Sequence, residues 1–86
     1  MNPCKKSRLY KNLIESKPYA IEQNTYGKTN SLRIIHWNTA CYRISASYVS
    51  PFIYNVWVYD HEFKQVARFY GVRARRLYKH AEQNCR

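Results

Sequence analysis

Acidic side chains are scarce in this chain: five Asp and Glu stand against fifteen Lys and Arg in 86 residues, a formal net charge of +10. A paired-carboxylate site or a carboxylate cage for Mg²⁺ therefore has almost no raw material, which argues against catalysis through metal-bound phosphate. Cysteine is also rare. Cys4, Cys41 and Cys85 are an odd set at wide spacing, which does not read as a disulfide framework and fits reduced thiols. Neither C-x-x-C nor H-x(3–5)-H occurs, and the near pairs His36 with Cys41 and His80 with Cys85 are poor zinc spacing. Long apolar runs are missing too. Residues 1–16 contain no secretory-type apolar stretch, and no segment is long enough to span a bilayer. The expectation is an intracellular, cytoplasmic protein with no membrane partner. With no internal repeat, low-complexity tract or dividing linker, the chain reads as one domain whose core is too small to hide an elaborate active site.

What the chain does have is aromatic surface mixed with cations: nine Tyr, two Trp and three Phe. Tyr prefers a wet or hydrogen-bonded end, so part of this surface is expected outside. A one-signed surface points to a polyanionic partner, either nucleic acid or a nucleoprotein complex. The plainer alternative is a basic domain whose charge only keeps it monomeric.

Asn2 and Pro3 form a cap-like pair ahead of Leu9, Tyr10, Leu13 and Ile14 at helical spacing, and Pro18 closes the segment, predicting a helix over 1–17. It should bury Leu9, Leu13 and Ile14 and leave Lys5, Lys6, Arg8 and Lys11 in water. Residues 17–30 read as loop with at most a short strand near 19–22. An antiparallel sheet is expected over 31–70. Period-two alternation predicts strands over 31–37 and 40–49, and an Asn38-Thr39 turn would set Trp37 opposite Ala40, Ile35 opposite Tyr42, Arg33 opposite Ile44 and His36 opposite Cys41. A third strand runs from Phe52 to Tyr59. A four-residue loop, His61 to Lys64, then pairs Val58 with Ala67 and Val56 with Phe69, leaving Trp57 opposite Arg68, Tyr59 opposite Val66 and Asn55 opposite Tyr70 on the reverse face. Gly71 turns the chain into a helix over 72–84, with Ala74, Leu77, Tyr78 and Ala81 as its apolar stripe. The expected fold class is α+β: a four-stranded antiparallel sheet with an N-terminal helix and a C-terminal helix packed on the sheet.

Charge gathers at the two ends. Residues 1–17 carry +4 (five cations less Glu15), residues 73–86 carry +4 (five less Glu82), and the middle carries the remaining +2. The strongest candidate for phosphate binding is the run Arg73, Arg75, Arg76 and Lys79, assisted by Lys5, Lys6, Arg8 and Lys11; its alternative is a solvated helix face. Trp57, Tyr59, Arg68 and Tyr70 form a second candidate surface, able to stack on bases or anchor a protein unless the first helix covers it. Asp60, His61 and Glu62 are adjacent titratable groups but sit where a hairpin loop is expected. A metal-independent ribonuclease using Arg76, Tyr78, Lys79 and His80 needs these groups to converge, whereas neighbours on one helix diverge around its axis. No cofactor is implied, and exposed strand edges allow either a monomer or a dimer.

The string Val56-Trp57-Val58-Tyr59-Asp60, then Val66-Ala67-Arg68-Phe69-Tyr70-Gly71, then Ala74, Tyr78 and Ala81, resembles the hairpin-plus-helix tail of small bacteriophage-encoded accessory proteins over about a third of the chain. In element order it is also similar to integrase arm-binding and related DNA-binding domains, without their acidic capping at the helix start. The phage resemblance extends to anti-CRISPR inhibitors and implies a non-enzymatic protein that blocks a CRISPR effector complex. The charge of +10 departs from inhibitors that mimic DNA with acidic surfaces. An inhibitor role would instead use an acidic or nucleic-acid-bearing surface of the effector.

Overall fold

The structure, a computed structural model, describes residues 8–26, 32–49 and 52–84. Its elements run α1 (Leu9–Glu15), β1 (Ala20–Tyr26), β2 (Leu32–Asn38), β3 (Arg43–Val49), β4 (Ile53–Tyr59), β5 (Gln65–Tyr70) and α2 (Gly71–Asn84). The strands form one antiparallel meander in the order β1-β2-β3-β4-β5. The α+β class holds, but the sheet has five strands, not four.

The added strand is β1, whose seven residues pair in register with β2 from Ala20 opposite Asn38 to Tyr26 opposite Leu32. Glu22, Gln23, Asn24 and Thr25 supply little apolar alternation in the sequence, and Ile21 packs against the core. Backbone pairing along β2 stabilises this polar edge strand where side-chain pattern does not.

The β2–β3 register also differs from expectation. Asn38 pairs with Arg43, Trp37 with Ile44, His36 with Ser45, Ile35 with Ala46 and Arg33 with Tyr48. Thr39 is the cause. Its Oγ1 accepts from the amides of Tyr42 at 3.1 Å and Cys41 at 3.4 Å, while its own amide donates to the Tyr42 carbonyl at 2.9 Å, closing a loop over residues 39–42. The shift is even, so every side chain stays on its expected face although its cross-strand partner changes. His36 is consequently not opposite Cys41.

The β4–β5 hairpin follows the expected register for Asn55–Tyr70, Val56–Phe69, Trp57–Arg68 and Val58–Ala67. Tyr59 then pairs with Gln65, not Val66, because the register shifts between Val58 and Tyr59. Val66 is the extra residue and packs against the core. Asp60 organises the loop, its Oδ1 accepting from the amides of Glu62 at 2.9 Å and Lys64 at 3.0 Å. The Lys64 amide chiefly, with the Glu62 amide and nearby cations, holds the Asp60 carboxyl below its ordinary value.

Helix α1 is shorter than expected. Arg8 takes a left-handed φ of 55°, so the helix starts at Leu9; at the other end Ser16 is extended and its amide returns to the Asn12 carbonyl at 2.9 Å. The expected Asn2–Pro3 cap, with Lys5 and Lys6, lies outside the described residues, as does the Ser50–Pro51 break. At the β5–α2 junction Gly71 adopts a φ of +60°, letting the strand turn directly into a helix.

The core lies between the helices and one face of the sheet. Leu9 and Leu13 of α1 and the Ala74, Leu77, Tyr78, Ala81 stripe of α2 pack on Ile35, Trp37, Ile44, Ala46, Val56 and Val58. Full burial of each large aliphatic chain contributes about 1.5–3 kcal/mol. Tyr48, Tyr54 and Tyr78 extend the core with ring centroids 4.8–5.9 Å apart. His80 Nε2 donates to the Ser16 carbonyl at 3.1 Å and ties α2 to the end of α1. Cys41, in the buried β2–β3 loop, is disulfide-bonded, which corrects the expectation of three reduced thiols. Its partner cysteine lies outside the described residues.

Candidate nucleic-acid interface

Placing α1 and α2 on one face of the sheet decides the surface chemistry of the molecule, because among the described residues no helix covers the reverse face. The residues expected to act together are thereby divided between two opposite sides.

On the helical side, burial of the Ala74, Leu77, Tyr78, Ala81 stripe turns Arg75, Arg76 and Lys79 outward, all three exposed. Together with Ile14 of α1 they line a groove of about 650 Å³ between the helices. Arg73 leans toward α1, its guanidinium carbon 5.4 Å from the Tyr10 ring centroid, and shares a hollow of about 520 Å³ with Arg8 and Lys11. Cations from both helices thus converge. Glu82 offsets part of that charge by pairing with Lys79 and Arg33, each at 3.6 Å. Arg75 and Arg76 make no ion pair among the described residues.

The open side is built from the alternate residues of the strands. One cross-strand row runs Glu22, His36, Ser45, Trp57, Arg68; the next runs Ile34, Ser47, Asn55, Tyr70. Arg68 is the centrepiece: its guanidinium carbon lies 5.1 Å from the Trp57 ring and 4.7 Å from the Tyr70 ring, and its Nη2 donates to Asn55 Oδ1 at 3.4 Å. Arg43 makes a second such pair, 4.6 Å from the Phe63 ring. Phe63 is held outward by a left-handed φ of 62°. His36 Nδ1 and Ser45 Oγ share a 2.8 Å hydrogen bond on the floor of a hollow of about 330 Å³, walled by Arg43, Tyr59 and Phe63.

The Trp57, Tyr59, Arg68 group is therefore adjacent as expected, while Arg73, Arg75, Arg76 and Lys79 lie across the molecule from it. Arg43, Phe63 and the His36–Ser45 pair were not singled out from sequence. Parity places Arg43 with Ser45 and Ser47, but their sharing a face with Trp57 depends on the β3–β4 register, for which the break at Ser50-Pro51 is a poor guide. Phe63 carries no sequence signal beyond being an apolar residue in a polar loop.

The arrangement bears on the chemical alternatives as well. Tyr78 is buried against the sheet, where desolvation raises its pKa, while Arg76 and Lys79 point away and His80 is held by Ser16. Arg76, Lys79 and His80 line the groove between the helices, and Tyr78 is turned away from it into the core. Glu22 faces His36 across β1 and β2, yet the hydrogen bond of His36 among the described residues is the one to Ser45, so no Ser-His-Glu relay is assembled. No cluster of three metal-ligating side chains occurs among the described residues, and no helix among them is long and apolar enough to cross a membrane. No family model, curated protein or solved structure matches the chain.

Proposed function

We propose that this is a non-enzymatic binding protein that engages nucleic acid, or a nucleoprotein complex, through the cations of its helical side. The observation that supports this reading is the docking of α1 beside α2, which adds Arg8 and Lys11 to Arg73, Arg75, Arg76 and Lys79 on one side of the molecule. Such a surface gains affinity by releasing counterions from phosphates and does so without regard to base sequence. A phage-type inhibitor of a CRISPR effector is one setting for this activity and rests on the resemblance of residues 56–84. That setting requires a cytoplasmic protein. A direct DNA-binding module needs no such compartment.

Affinity of the full chain for a mixed-sequence duplex, measured against salt concentration by fluorescence anisotropy, tests the reading. Log affinity should fall by about 0.9 per log unit of salt for each phosphate neutralised. Replacing Arg75, Arg76 and Lys79 together by Gln should lower that slope by roughly one per contact removed. A slope unchanged in the variant, or no salt-sensitive binding by the native chain, would remove the helical side from consideration. Affinity capture from a cell extract, scoring nucleic acid and protein separately, then distinguishes a naked-polymer binder from an inhibitor that travels with a protein assembly.

A further inference from the structure

From the open side of the sheet we infer a second, independent site: a platform for single-stranded nucleic acid, on which unpaired bases stack against Trp57 and Tyr70 while Arg43 and Arg68 meet phosphates.

Shape comes first. The major groove of a duplex admits a helix or a two-stranded ribbon, whereas this face is a broad five-stranded sheet. A single strand exposes the flat faces of its bases, and those are what aromatic side chains take up in a sequence-tolerant way. On this face a planar group is already accommodated. The Arg68 guanidinium lies against both the Trp57 and Tyr70 rings, at 5.1 and 4.7 Å, and so marks a place that fits a flat, electron-poor or aromatic group. Two exposed cation–π contacts hold it by roughly 5- to 25-fold in equilibrium terms. Stacking of a base is worth roughly 5- to 150-fold for each ring it uses. A base between the two rings therefore displaces the guanidinium, and Arg68, still anchored on β5, turns to the adjoining phosphate.

The floor of the face favours a nucleic acid over a protein. The centre of a tight protein interface is apolar and dry, but the half-buried centre here is His36, Ser45 and Asn55, groups that hydrogen-bond the edges of bases. The hollow of about 330 Å³ beside Tyr59 and Phe63 has room for one splayed base, with His36 and Ser45 at its base. Charge agrees in sign: Arg43 and Arg68 oppose the single carboxylate of Glu22 on these strand rows. Because the face lies across the sheet from α2, the inference stands whether or not the helical side binds duplex.

The two tryptophans make the test direct. Trp37 is 1% exposed and sealed in the core, so quenching by a stacked base reports Trp57. The full chain is titrated with short mixed-sequence single strands of DNA and of RNA and with the matching duplexes, reading tryptophan emission and anisotropy. Quenching by single strands of either polymer, and not by duplex, is expected. Trp57→Ala and Tyr70→Ala should each lower single-strand affinity by roughly 5- to 150-fold and leave duplex affinity within about 2-fold, and Trp57→Phe should retain most of it because a ring remains. Arg68→Gln should reduce the single-strand salt slope by about 0.7, the share of one phosphate. Equal affinity of the native chain and both ring variants for single strands would overturn the site. So would absence of quenching in the native chain, a measurement that needs no variant to fold, or saturation of the face by an acidic peptide in place of either polymer. Loss of duplex binding in the Arg75/Arg76/Lys79 variant with quenching intact separates the two surfaces.

Discussion

The two sides of the sheet use the same residue types for opposite ends. On the covered side, Trp37 is buried with no hydrogen-bond partner for its Nε1 among the described residues, and Tyr78 and Tyr10 bury their hydroxyls equally unpartnered among them. On the open side, Trp57 and Tyr70 lie against Arg68 in reach of water. An aromatic ring in a small domain is thus core or contact surface according to strand parity and to which face the helices choose. The separation is also electrostatic. The molecule measures 46 × 24 × 23 Å, and with a Debye length of about 8 Å at physiological salt the cations of α2 have little influence on a strand lying on the open side.

The sharpest break in this comparison comes from truncating its two tryptophans. Trp37→Ala should cost about 3–5 kcal/mol, as large core deletions do, whereas Trp57→Ala, at a partly buried ring that also holds Arg68, should cost about 1–2 kcal/mol; urea midpoints read both. Equal losses would mean that the second face is not open. The loops extend the contrast at smaller amplitude. Thr39→Val removes the acceptor for two amides in the buried β2–β3 loop and should cost about 1–3 kcal/mol in the same assay. Asp60 plays the corresponding part in the exposed β4–β5 loop, where water can replace it, so its effect is the smallest and shows mainly as pH dependence. Its carboxyl is depressed in the folded chain. The stabilisation is therefore present above the unfolded value of about 3.9 and is lost as pH falls through the folded one. The stability difference between the native chain and Asp60→Asn should shrink in acid, and a difference that grows there would reverse the assignment.

Much of this could be read from the residues, and the failures share a cause. Val56, Val58, Ala67 and Phe69 alternate strongly enough to set both the faces and the inner register of the β4–β5 hairpin. Between β2 and β3 the same alternation set only the faces, because a slip of four residues preserves parity and only the Thr39 loop chooses between registers. β1 was underestimated because its run Glu22 to Thr25 advertises no apolar face. Ala74, Leu77, Tyr78 and Ala81 identified the buried side of α2 and hence its outward cations. The open face could not be chosen from sequence: a helix with Leu9 and Leu13 fits either side of a sheet, and its position is a tertiary choice tied to α2 through His80 and Ser16.

The meander order carries a kinetic meaning. Every strand pairs only with its neighbour in the chain, so each hairpin closes a short loop and can form before the others exist. The distant act is the meeting of the ends, where His80 reaches a carbonyl 64 residues away. A chain built this way is expected to assemble its sheet by local zipping and to have the seating of the first helix as its longest-range step.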